Sequence, residues 1–221
     1  MRVAVLSSGG KDSSAAWWWE MCRGWEVTHL VTVRITGGDS WMFQVPGTGL
    51  VEYQSKISGI PWISVETEGQ QEAEISDLEK ALSVLNIDGI VSGALRSDYQ
   101  KSRLERMAER LGIVSWTPLW HQDSLNHMQG LIENGFQIFI TGVSCEGLDE
   151  NWIGHVLTSQ SLIELERLSK EFRFNIDGEG GEYETLVIGG PHLGGTLEIT
   201  GQVVWDGVRG VYEIATVQAI A

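Results

Sequence analysis

The stretch from Val3 to Asp12 limits what this chain can fold into more than any other. Val3, Ala4, Val5 and Leu6 form a short apolar run of strand type. Ser7-Ser8-Gly9-Gly10-Lys11-Asp12 then breaks the run, ahead of a helix-compatible stretch that Gly24 closes. Strand, glycine-rich turn and helix in that order bring several backbone N–H groups and a helix N-terminus to the carboxyl edge of a sheet, where an anion binds. The turn is not a Walker loop: Asp12 follows Lys11, and Val5 stands where the first glycine is required. No G-x-G-x-x-G is present either, so neither kinase nor dinucleotide chemistry is supported.

The pattern continues in alternation. Strands are predicted over Glu26 to Ile35, Ile60 to Val65 and Ile87 to Ala94, and helices over Leu50 to Ile57 and Gln71 to Leu85. Leu104, Met107, Ala108 and Leu111 carry a further helical stripe that Gly112 ends. Such alternation predicts a Rossmann-like α/β domain, a parallel sheet with helices on both faces. After Phe136 the pattern changes. A strand is expected at Gln137 to Val143, then a helix starting at Ser161 with Glu164 three residues on. Strand-like runs follow at Thr185 to Ile188, Thr196 to Ile199 and Gln202 to Val217, the last broken by a hairpin at Asp206-Gly207. The expected organisation is a nucleotide-binding domain over residues 1–125 and a smaller C-terminal α+β domain over 126–221.

Composition narrows the partners. Thirty acidic side chains against 15 basic ones give a formal charge of −15, which repels a nucleic-acid backbone and speaks against transfer RNA as substrate. No stretch approaches the roughly 20 apolar residues of a membrane span, and no basic start with a cleavage site precedes the first strand; a soluble, cytoplasmic protein is expected. Cys22 and Cys145 are far apart and read as two buried thiols. His29, His121, His127, His155 and His192 show no ligand spacing, so a transition-metal site is not expected. Trp17-Trp18-Trp19 reads as helix packing.

Ser8-Gly9-Gly10-Lys11-Asp12-Ser13 closely resembles the S-G-G-x-D-S loop of the N-type ATP pyrophosphatases, the PP-loop enzymes. The resemblance implies that ATP is cleaved between its α and β phosphates. Gly9 and Gly10 would admit the outer phosphates to the backbone, Ser8 and Ser13 would donate hydroxyl bonds, and Lys11 would supply charge. Asp12, a carboxylate beside polyphosphate, is best read as a ligand of Mg2+ or as an orienter of water bound to it.

A second cluster sets three carboxylates and three glycines in eight residues, Gly178-Glu179-Gly180-Gly181-Glu182-Tyr183-Glu184-Thr185. In a strand, Glu182 and Glu184 would share one face, with Tyr183 and Thr185 on the other. With the first loop, this G-E-G-G-E-Y-E-T run resembles the diphthine–ammonia ligase family. Agreeing with it are Gly93-Ala94-Leu95-Arg96-Ser97-Asp98-Tyr99-Gln100, Arg103-Leu104-Glu105, Pro118-Leu119-Trp120 and Glu146-Gly147-Leu148-Asp149. Gln44, Gly47 and His155 depart from the family pattern.

The resemblance implies that a carboxylate of diphthine on translation elongation factor 2 is adenylated and then amidated by ammonia to diphthamide, releasing AMP and pyrophosphate. Gly93 would line the ATP site. Tyr99, Gln100, Arg103, Glu179, Gly180, Gly181, Glu182, Tyr183, Glu184 and Thr185 would bind substrate: the glutamates hold the trimethylammonium cation, Tyr183 offers an aromatic face, and one glutamate accepts a proton from ammonium. Lys11, Asp12, Glu182 and Glu184 would be catalytic. Neither cysteine has a nucleophile setting, so free ammonium is the expected nitrogen source, and a homo-oligomer is left open. The alternatives are a related amide enzyme of corrinoid salvage and a nucleotide-binding sensor without catalysis.

Overall fold

In the computed structural model the described residues are 1–35, 48–67 and 71–220, and they form two compact units, Met1–Trp120 and His121–Ala221. Gln44 and Gly47, two of the departures from the family pattern, lie outside the described residues.

Unit one holds a five-stranded, all-parallel sheet. Its strands are β1 (Arg2–Leu6), β2 (Glu26–Ile35), β3 (Trp62–Thr67), β4 (Gly89–Val91) and β5 (Val114–Trp116), in the spatial order β3-β2-β1-β4-β5. The helices are α1 (Lys11–Cys22), α2 (Val51–Ser58), α3 (Gln71–Ser83) and α4 (Asp98–Leu111). Side chains alternate across a strand. Ala4 therefore joins Val31, Val33, Val65 and Ile90 under Leu78, Leu82, Leu104 and Met107 of α3 and α4, while Val3 and Val5 face the opposite side, where α1 packs. Each Val, Ile, Leu or Met side chain buried this way contributes about 1.5–3 kcal/mol. The chain leaves β1 toward β2 and β3, then returns to the other side of β1 as β4. A switch point therefore opens between the carboxyl ends of β1 and β4, where open α/β sheets bind ligands.

Trp17 is fully buried, whereas Trp19 is exposed, so the tryptophan triplet sends only part of its area into the core. The expectation of two buried thiols fails for Cys22, which lies exposed in the last turn of α1; Cys145 is half-buried. β5 passes unpredicted because three residues are too short to show a period.

In unit two, β6 (Gln137–Val143), β7 (Tyr183–Gly189), β8 (Thr196–Trp205) and β9 (Gly210–Ile220) close into an antiparallel barrel, with α5 (Ser124–Glu133) and α6 (Ser159–Phe172). Two readings need correction. Thr158, not Ser161, caps α6: the two side chains and backbones bond reciprocally, which makes Ser161 the third residue of the helix. The runs at 196–199 and 202–205 are one strand, because an irregularity at Thr200/Gly201 interrupts the alternation without ending the ladder to β9. Among the described residues no helix is long and apolar enough to cross a membrane.

Candidate functional site

The glycine-rich loop follows β1 directly and runs into α1 at the switch point. Gly9 sits at φ +82°, a left-handed conformation that glycine alone adopts without strain. Gly10 caps α1 with no side-chain hydrogen bond, so the helix N-terminus is not closed by a side chain of its own cap residue. The loop amides rest on the loop's own hydroxyls: Ser8 N–H donates to Ser13 Oγ at 3.3 Å, Gly9 N–H to Ser7 Oγ at 3.2 Å and Gly10 N–H to Ser8 Oγ at 3.4 Å. These bonds are at or beyond the usual range of about 2.7–3.2 Å, so an anionic oxygen would displace the hydroxyls at little cost. Lys11 Nζ lies 2.9 Å from Asp12 Oδ2, with the lysine side chain buried and the aspartate partly open to solvent.

Two buried side chains from outside the motif, Thr32 and Gln54, hold this loop. Thr32 Oγ1 donates to Ser7 O at 2.8 Å and accepts from Trp62 Nε1 at 2.8 Å, while Gln54 Nε2 donates to Gly9 O at 3.1 Å. Gly93 lies against the loop backbone: a Cβ there would meet Asp12 C at 2.5 Å and Ser13 N at 2.6 Å. Sequence reasoning found Gly93 but missed Thr32 and Gln54, which belong to no local pattern and are drawn to the loop only by the fold.

Of the other residues expected in unit one, Tyr99 packs its ring against the α3–α4 core, with its hydroxyl buried, and Arg103 stacks its guanidinium over that ring at 4.1 Å. The backbone N–H of Gln100 donates to the hydroxyl of Ser97, the N-cap of α4. These residues stand at the carboxyl edge after β4.

The acidic turn lies in unit two. Tyr183 and Thr185 share a buried face of β7, as alternation requires, and Glu184 is half-buried opposite Gly142 of β6. Tyr183 does not present an open aromatic face: it is 3% exposed, and its hydroxyl donates to Ile176 O at 2.5 Å, anchoring the turn. Glu182 precedes the strand and turns back. Its Oε1 accepts from Asn175 N at 2.8 Å and Asn175 Nδ2 at 2.7 Å, and its Oε2 is buried without a hydrogen-bond partner. From the end of β6, Ser144 N–H donates to Glu182 O at 2.9 Å and Ser144 Oγ to Gly181 O at 2.5 Å. Burial, then the charge of Glu182, push the Cys145 thiol up to about 11. Asp177, missed in the sequence, is fully buried and accepts from Glu179 N–H at 3.3 Å. His155 sets its ring edge-on to Trp152.

Sheet order, switch point and loop together define an α/β nucleotide-binding enzyme of the PP-loop type. The chain belongs to the diphthamide synthase family: the model of the N-terminal domain matches residues 1–115 and that of the C-terminal domain residues 123–220. It is similar to the diphthine–ammonia ligase of Bos taurus, 31% identical over 217 residues that cover 86% of this chain and 80% of the relative. The Mus musculus ligase is 30% identical with the same coverage, and the Danio rerio ligase 30% identical over 86% of this chain and 83% of its own length. Among solved structures, glycinamide ribonucleotide transformylase 1 from Symbiobacterium toebii aligns over 96% of this chain and 93% of its own at 14% identity, with a TM-score of 0.34, too low to bear on the fold. The chain is accordingly a ligase of diphthamide synthesis.

Proposed function

We propose that this ligase binds ATP with its outer phosphates on the Ser8–Ser13 loop and passes AMP to the carboxylate of diphthine on translation elongation factor 2. Ammonia then displaces AMP and leaves the amide. The observation that carries this reading is the loop itself: three backbone N–H groups on long, exchangeable hydroxyl bonds, at the switch point of a parallel sheet.

Each residue then has a task. The amides of Ser8, Gly9 and Gly10 hold the leaving pyrophosphate, and the charge of Lys11 offsets the negative charge that grows on it. Asp12 is the residue that would hold Mg2+. The fit is good in kind: its carboxylate is partly open, and Mg2+ is bound through one or two carboxylates with substrate phosphates supplying further oxygens. When bound, Mg2+ supplies charge neutralisation between the phosphates and Asp12.

In unit two, Glu179 and Glu184 supply negative charge for the trimethylammonium group, and Glu184 accepts the proton that ammonium must lose before it attacks. Glu182 shapes the turn that carries them, through Asn175. The substrate carboxylate is itself the nucleophile, so no covalent enzyme intermediate is required.

The test is to incubate the protein with ATP, Mg2+, ammonium and elongation factor arrested at diphthine, and to read AMP together with the mass change from acid to amide. Asp12→Ala and Ser13→Ala should each lower turnover by about 100- to 1000-fold with the fold retained. Near-normal turnover in both variants, or ATP consumed without pyrophosphate, would remove the loop from the chemistry.

A further inference from the structure

We propose that Thr32 and Gln54 are positioning residues of the phosphate loop, setting the direction in which its peptide units face. This rests on the loop being the site of the ATP phosphates. An indole N–H can only donate, so the 2.8 Å bond from Trp62 Nε1 occupies a lone pair of Thr32 Oγ1 and leaves the threonine proton for Ser7 O, also 2.8 Å away. From the other side, Gln54 Nε2 donates to Gly9 O at 3.1 Å.

In a trans peptide the C=O and the following N–H point in opposite directions. Holding Ser7 O and Gly9 O from β2 and α2 therefore turns the N–H groups of Ser8 and Gly10 away from those elements. They point toward the hydroxyls of Ser13 and Ser8, the positions where a phosphate oxygen would be accepted. Thr32 is 1% exposed and Gln54 0%, so neither side chain reaches a ligand; each acts through a carbonyl. Gly9 would otherwise be free to flip, since its left-handed φ lies in a region where glycine meets little steric resistance to either orientation. Without the two donors, the loop would sample orientations that aim carbonyl oxygens at the polyphosphate, which repels them.

The decisive comparison is Thr32→Val, which keeps the shape and removes the hydroxyl, with Thr32→Ser, which keeps it; Gln54→Leu tests the second donor independently. ATP affinity is read by equilibrium dialysis without turnover, and KM for ATP and for ammonium in the pyrophosphate-release assay, beside Tm. We expect Thr32→Val and Gln54→Leu to weaken ATP binding by about 10- to 100-fold, as loss of an orienting partner behind a ligand-binding group commonly does. Thr32→Ser should stay within about threefold of the parent, and KM for ammonium should not move. Folded Thr32→Val and Gln54→Leu proteins that bind ATP like the parent would overturn the proposal. So would a parallel rise of both KM values tracking a fall in Tm, the mark of a merely structural role. If the parent protein binds no ATP, the functional reading fails instead.

Discussion

The phosphate loop and the acidic turn are both glycine-rich connections next to strands, and they are built on opposite plans. The loop presents main chain. Its amides are the proposed ligands, and the groups that brace its backbone come from far along the sequence, Thr32 on β2, Gln54 on α2 and Gly93 after β4. The turn presents side chains and is held chiefly by itself. Asn175 grips Glu182, Tyr183 grips Ile176 and Asp177 grips the backbone of Glu179, all within nine consecutive positions, with Ser144 as the outside brace. An anion is met by fixed dipoles, which need a rigid and remote frame. A cation is met by carboxylates, which bring their own charge and need only a local scaffold to hold them apart.

That contrast is broken most severely at Gly93. A methyl there would stand 2.5–2.6 Å from the backbone of Asp12 and Ser13, closer than any real Cβ contact, and backbone cannot rotate away as a side chain can. Gly93→Ala should move the loop and lower pyrophosphate release by at least about 100-fold, the usual cost of displacing a reactive group by about an ångström. Activity of the purified variant, with circular dichroism to show that the sheet persists, checks this. A loop that tolerates the methyl with full activity is not held by a remote frame.

How much of each plan was legible follows from its physics. A main-chain site must solve one backbone problem in consecutive residues, so Ser8 to Ser13 stands out as a motif and fixes the parallel sheet around it. Thr32 and Gln54 do not, because a buried donor to a loop carbonyl leaves no trace in local spacing. In the turn the number of carboxylates was readable, but not their directions. Alternation put Tyr183 and Thr185 on one face, which the fold buries, yet Glu182 lies one residue before the strand, where period-two reasoning does not apply, and it turns back to Asn175. Tyr183 is spent on Ile176, which only the folded turn reveals.

The roles of Glu182 and Glu184 can be separated. Glu184→Gln should lower kcat by about 100-fold, the low end of what loss of a general base costs, if Glu184 is the proposed base. Glu182→Gln should cost less, because an amide oxygen can still accept from Asn175. Its distinct mark is on Cys145, whose thiol is held at about 11 by burial and by the charge of Glu182. Removing that charge lowers the thiol toward its ordinary value, so a larger thiolate fraction at pH 8 should speed alkylation of Cys145 severalfold. The measurement is made in a Cys22→Ser background, since Cys22 is exposed. An unchanged alkylation rate would show that Glu182 does not face the thiol, and the local scaffold would have to be redrawn.

The smallest effect lies at the far end of the helix that begins in the loop. Glu20, in the last turn of α1, is 0% exposed, and neither of its oxygens has a hydrogen bond of normal geometry. Arg23 Nε approaches one of them to 3.6 Å while the arginine stacks on Trp25 and Trp116. Burial raises the carboxyl from its ordinary value near 4.5 to about 7, with Arg23 and then Trp116 pulling it back. Its folded value lies above its unfolded one, so between the two the native state holds a proton that the unfolded state has lost. The stability this gives is complete below about pH 4.5 and disappears as pH rises through about 7, with a slope of up to about 1.4 kcal/mol per pH unit in between. Glu20→Gln mimics the protonated form and should lack that slope. Urea unfolding at pH 5, 6.5 and 8 should therefore show the variant gaining on the parent as pH rises, while ATP affinity at the other end of α1 stays level. A stability difference independent of pH would mean that Glu20 is ionised in the fold. A coupled change in ATP affinity would mean that the loop's frame extends down the helix as well as across to β2, α2 and Gly93.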